Sequence, residues 1–67
     1  MWFLVFQKTC VKYDFLFELN TYSGLKLILR PNHKLEYIIR LSEDYGNYNK
    51  LFKRAIKEIK KYRKIHK

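Results

Sequence analysis

Apolar and polar residues alternate along most of the first two-thirds of this chain, and then the period changes. In "CVKYDFLFEL", residues 10–19, Val11, Tyr13, Phe15, Phe17 and Leu19 fall on one side, with Cys10, Lys12, Asp14, Leu16 and Glu18 on the other. Period two with β-branched and aromatic side chains predicts a half-buried strand. "LKLILR", residues 25–30, alternates in the same way, as does "KLEYIIRL", residues 34–41, with Leu35, Tyr37, Ile39 and Leu41 on one side. Two turn signals separate these runs. "NTYSG" offers Gly24 for a positive φ, and "PNH" offers Pro31, which fixes φ and cannot donate to a ladder. "WFLVF", residues 2–6, is apolar at every position. Such a run predicts a strand covered on both faces, over about residues 2–7.

From residue 48 to about 65 the period lengthens to that of a helix. On a helical wheel Tyr48, Leu51, Phe52, Ala55, Ile59, Tyr62 and His66 fall within about 60° of Ala55, and Ile56 and Ile65 flank them. Lys50, Lys53, Lys57, Lys60, Lys61, Lys64 and Lys67 fill the opposite half, joined by Arg54. Asn47, after Gly46, suits an N-cap. Ser42 is an alternative cap for a short turn, "SEDY". Bases near a helix C-terminus suit its dipole, which is a structural reason for some of them.

These patterns predict an α+β fold in a single domain, residues 1–67. A small antiparallel sheet of three to four strands carries one C-terminal amphipathic helix packed on one face. Opposite charges set a trial register. Pairing Leu19 with Leu25 puts Glu18 opposite Lys26, Leu16 opposite Ile28 and Asp14 opposite Arg30. Arg30 opposite Glu36 then puts Ile28 opposite Ile38. Leu16, Ile28 and Ile38 would thus line up on the face turned away from the helix. With residues 2–6 beside them they would form a polar-rimmed apolar patch, the mark of a protein interface.

Size limits what such a sheet achieves alone. The core of a chain this short rarely supplies more than roughly 3–5 kcal/mol. The chain has one cysteine, so it forms no internal disulfide, and Cys10, His33 and His66 lack the spacing of a zinc site. A good core or a partner subunit is left, and a homodimer or hetero-complex is expected. The composition, 48% hydrophobic and 18% aromatic, argues against disorder. A lone thiol fits a reducing, cytoplasmic setting. Cys10 stands near Lys8 and Lys12, which would lower its pKa, but a small packed strand residue is the favoured reading. No run reaches the roughly 18–20 apolar residues of a membrane span, so no integral membrane association is expected. "MWFLVF" lacks the basic flank and cleavage site of a signal peptide.

Charge changes the picture most. The formal net charge is +9. Residues 1–49 hold six bases and five acids, +1, while residues 50–67 hold nine bases and one acid, +8. Such asymmetry points to nucleic acid, an anionic membrane surface or an acidic protein as partner. Lysine outnumbers arginine eleven to four. That bias also follows from an AT-rich genome, in which lysine is the default surface residue.

The leading expectation is a small basic protein that contacts nucleic-acid phosphates through Lys50, Lys53, Arg54, Lys57, Lys60, Lys61 and Lys64. Tyr45 and Tyr48 would stack on unpaired bases at the helix entry. Lysine is a point charge with little base readout, so binding would be mostly non-specific. The alternative is a protein-interaction module: a small regulator or inhibitor of the kind mobile elements encode, or a homodimer through Leu16, Ile28 and Ile38. A helix lying on a membrane surface is a lesser candidate, because its apolar stripe is needed for the sheet. Nothing implies a cofactor. No catalytic arrangement is visible. The residual enzymatic reading is a small ribonuclease-type toxin using His33 with Arg30, Lys34 and Tyr37.

Overall fold

The computed structural model describes residues 2–65. The elements follow in the order helix α1 (Trp2–Tyr13), strands β1 (Phe15–Asn20), β2 (Leu25–Pro31) and β3 (Ile39–Glu43), and helix α2 (Tyr48–Ile65). The three strands form an antiparallel sheet in the order β1-β2-β3. The fold is α+β, with the C-terminal helix on one face as the hydropathy pattern predicts. His66 and Lys67, which the wheel assigns to α2, lie outside the described residues.

The main correction is at the N-terminus. Residues 2–7 are not a strand, and neither are residues 10–13; both belong to α1. Phe6, Thr9 and Cys10 are buried, and Tyr13 packs against the core. Their spacing of three and four residues makes one inward helical face. Thr9 is tolerated there because its hydroxyl donates to the Val5 carbonyl at 2.8 Å, within the same helix. The alternation of Val11 and Tyr13 with the strand beyond is a coincidence across an element boundary. That boundary is Asp14. Its N–H closes the last helical turn on the Val11 carbonyl at 3.3 Å, and its φ of 58° swings the chain into β1. The β2–β3 loop holds this unusual conformation: Asn32 donates its N–H to the Asp14 carbonyl at 2.9 Å, and His33 Nε2 lies 2.8 Å from Asp14 Oδ2.

Both hairpins pair two residues away from the trial register. Leu19 faces Leu27, Glu18 faces Ile28 and Leu16 faces Arg30; Ile28 faces Arg40 and Leu29 faces Ile39. An even shift keeps every side chain on its face, so the core assignment survives while the charge pairs do not. The first turn explains its shift. Asn20 stays in β1, and its Oδ1 accepts the Tyr22 N–H at 2.8 Å, so the reversal falls beyond it. β3 also begins later than expected. Residues 34–38 are not in the strand. Lys34 bonds back to the Pro31 carbonyl at 3.2 Å and Tyr37 to the Lys34 carbonyl at 3.2 Å, two successive turns. Leu35 is exposed there. At its far end β3 runs on through Ser42 and Glu43, so Ser42 caps nothing. Asp44 to Asn47 then make a turn with Gly46 at φ 91°, and α2 starts directly after Asn47.

Both helices lie on the same face of the sheet. α2 packs against β2 and β3, and α1 against β1 and α2. The helices run side by side in the same direction. Phe3 and Phe6 meet Phe52 near their N-terminal ends, and Tyr13 lines one pocket with Lys60, Arg63 and Lys64 near their C-terminal ends. Between helices and sheet Leu25, Leu27, Leu29, Leu51, Ala55 and Ile59 are fully buried. Phe6→Ala should cost about 3–5 kcal/mol, enough to unfold so small a domain. Leu4→Ala, on the outer side of α1, should cost little. Denaturant melts followed by circular dichroism compare the two; equal effects would contradict the helical placement of residues 2–13.

Candidate nucleic-acid interface

The basic face of α2 exists as expected, but its two halves are engaged differently. In the N-terminal half three cations have intramolecular partners. Arg54 Nη1 donates to the Ser42 carbonyl at 3.0 Å and to Glu43 Oε2, and Lys50 Nζ lies 3.8 Å from Glu43 Oε1. The Glu43 carboxylate is nearly buried, so these cations answer a charge at the sheet edge and fasten α2 to β3. Lys53 Nζ sits over the Trp2 ring, 4.9 Å from its centroid, and so spans the two helices.

In the C-terminal half Lys57, Lys60, Lys61, Arg63 and Lys64 are exposed, and none has an ion-pair partner among the described residues. Lys60, Arg63 and Lys64 border an open pocket of about 380 Å³ whose remaining wall is Tyr13, at the end of α1. Lys12 adds a further cation, 5.5 Å from the Tyr13 ring centroid. The pocket draws on both helices because they are parallel and end at the same side of the molecule.

Two parallel helices present two C-terminal dipole ends together, each equivalent to roughly half a negative charge. Bases there stabilise the pair, and Lys12, Arg63 and Lys64 are the bases of the last turns. The two ends amount to about one negative charge. Lys12, Lys57, Lys60, Lys61, Arg63 and Lys64 carry six positive charges against two from Asp14 and Glu58. An excess of about three charges is therefore unanswered among the described residues.

The aromatic residues expected at the interface are elsewhere engaged. Tyr45 donates its hydroxyl to the Thr21 carbonyl, and Tyr48 stacks on Phe52 with centroids 6.4 Å apart. Tyr48 opens α2, about 18 Å along the helix from Lys60 at 1.5 Å per residue, and Tyr45 lies in the turn before it. Tyr13 stands at the cationic end instead. Its role was hidden in the sequence because alternation assigns it to the inner face of a strand. A wheel drawn over residues 2–13 is the signal that finds it.

The open sheet face carries Leu16 and Ile28, but not as a line of three. Ile28 stands between Glu18 and Arg40, and Ile38 precedes β3. Leu16, Ile28 and Arg30 border a shallow depression with Phe17 and Glu18, and Arg30 Nη1 is buried there without a hydrogen-bond partner. Residues 2–6 do not widen this face, since α1 packs on the other one.

Of the enzymatic candidates, His33 meets Asp14, and Tyr37 packs on the ring of Tyr62 at 4.7 Å. Among the described residues no group of three or more His, Cys, Asp or Glu converges on a metal site, and no helix is long and apolar enough to cross a membrane. No protein-family model, curated protein or solved structure matches the chain.

Cys10 is a packing residue, in a helix rather than a strand. It points inward while Lys8 and Lys12 point outward, and burial pushes its thiol up from 9.0 to about 11. Its folded pKa lies above the unfolded value. The protonated thiol therefore supports the fold below about pH 9, and that support fades as pH rises from 9 toward 11. A thiol-specific chromogenic reagent at pH 8 should label Cys10 slowly in the native protein and at once in denaturant. Immediate stoichiometric labelling of the native state would contradict this placement.

Proposed function

We propose that the protein binds nucleic acid through its phosphates, using the C-terminal half of the basic face of α2. The observation that carries the reading is the unanswered positive charge at the common end of the two helices. Lys57, Lys60, Lys61, Arg63 and Lys64 are exposed and lack ion-pair partners among the described residues, and the dipole ends account for only a minor part of their charge. Lys50 and Arg54 are tied to Glu43, so they contribute to the field more than to contacts. Four of the five unpaired cations are lysines, which favour phosphate contact over base readout, so recognition is largely independent of sequence. The protein-interface alternative rests on the open sheet face. Its support is weaker, because that face has mixed charge and lacks the apolar band that a strand at residues 2–6 would have added.

Five phosphate contacts imply a log–log slope of affinity against salt of roughly −3.5 on single strands and −4.5 on duplex DNA. Replacing Lys57, Lys60, Lys61 and Lys64 with Gln should flatten the slope to about −1 and leave the circular dichroism spectrum unchanged, since these side chains are exposed. Fluorescence anisotropy of labelled oligonucleotides over a salt series provides the measurement. Light scattering before and after nuclease treatment shows whether the purified protein carries nucleic acid. A folded quadruple variant that binds like the wild type would make the lysine face solvated surface and nothing more.

A further inference from the structure

The seam between the two helices carries more than charge. At one end Trp2 lies beneath Lys53, with Nζ 4.9 Å from the ring centroid. At the other end Tyr13 lies beside Lys12, at 5.5 Å, and walls the pocket of Lys60, Arg63 and Lys64. The two aromatic residues are eleven positions apart on α1, about 16 Å along its axis. Lys53, Lys57 and Lys60 follow the same seam on the neighbouring helix. Trp2 is part-exposed, at 37%, and Tyr13 is half-buried. Both rings stand on a helix anchored by Phe6 and Cys10, so neither needs ordering before use.

Duplex phosphates would satisfy the cations but make no use of these rings, because the bases of a duplex are stacked inside it. An unpaired strand uses both features. Its phosphates follow the lysines, and its bases stack on aromatic platforms without regard to sequence. The pocket at Tyr13 lies near the lower end of the size range of ligand sites, about 300–1,000 Å³.

We infer that the nucleic acid is single-stranded and lies along the α1–α2 seam, with one base stacked on Tyr13 and another on Trp2. Phosphates meet Lys57, Lys60, Lys61, Arg63 and Lys64, and Lys53 and Lys12 swing aside from the ring faces so that the bases stack there. This inference rests on the nucleic-acid reading above and narrows it to one strand type.

Anisotropy with one oligonucleotide sequence, single-stranded and annealed, tests it at a single low salt concentration. The single strand should bind more tightly. Tyr13→Leu and Trp2→Leu, which retain apolar packing, should each weaken single-strand binding about 5- to 150-fold, the loss of one stacked base, and leave duplex binding unchanged. Trp2 is the only tryptophan, so its fluorescence reports directly on the wild type whether or not the variants fold. The single strand should quench it saturably, while inorganic polyphosphate should bind without quenching. Equal binding of both strand types with unquenched Trp2 would overturn the inference and leave the polyanion reading standing. Failure to bind either oligonucleotide at low salt would overturn both.

Discussion

Phe6 is the residue on which the architecture turns. It is completely buried where α1, β1 and α2 meet, with ring centroids 4.8 Å from Phe17 and 5.1 Å from Phe52. Phe3 extends the cluster toward the same two rings. An aromatic ring brings a large apolar area into a small core, and close edge and offset contacts add to that. This matters in a chain with no disulfide and so little volume to bury. The cluster is the chief anchor of α1 beside α2, because among the described residues no hydrogen bond or ion pair joins its side chains to the rest of the fold. The parallel direction of the helices follows from where those phenylalanines lie, near the start of α1 and the start of α2.

Parallel helices raise an electrostatic cost that the sequence answers in excess. Their C-terminal ends gather partial negative charge in one place, and the last turns of both helices are basic. The answer is several-fold larger than the need. Charge repulsion among exposed lysines is tolerable because water and salt screen it over about 8–10 Å. It remains unanswered among the described residues, and it sits beside an aromatic-walled pocket whose other walls are all bases. At the opposite end of α2 the demand and the supply match: Glu43 takes Arg54 and Lys50. One helix thus performs a structural task at its start and offers an unclaimed surface at its end.

The sheet is protected on one side only. Leu25, Leu27 and Leu29 are fully covered by the helices, while Glu18, Ile28 and Arg40 share a row on the other side. Placing α1 and α2 in the same layer leaves that side to mixed polar and aliphatic residues, which solvent accommodates. The partition explains why β2 reads so clearly as alternating. It is the central strand, with one face in the core and the other in water.

By itself the sequence determined the long elements with sustained period. Eighteen residues of α2 with an apolar stripe and a basic back face, and the alternation of residues 25–30 in β2, leave little freedom, and most of both buried faces was legible; Pro31, read as a turn, instead ends β2 buried, and Tyr48, read on the stripe, is exposed. The charge asymmetry was legible too, because summing charge needs no geometry. Tertiary structure alone decided the nature of residues 2–13. An apolar run suits a covered strand and a packed helix equally, and only the fit of Phe6 between Phe17 and Phe52 selects the helix. It also decided the hairpin registers, because a shift of two residues preserves the faces and periodicity cannot see it. Finally, it decided which lysines have partners and which aromatic stands beside the free ones. Tyr13 and Lys60 are remote in sequence, and they meet only because two helices, anchored at their starts by phenylalanine, run the same way and end together.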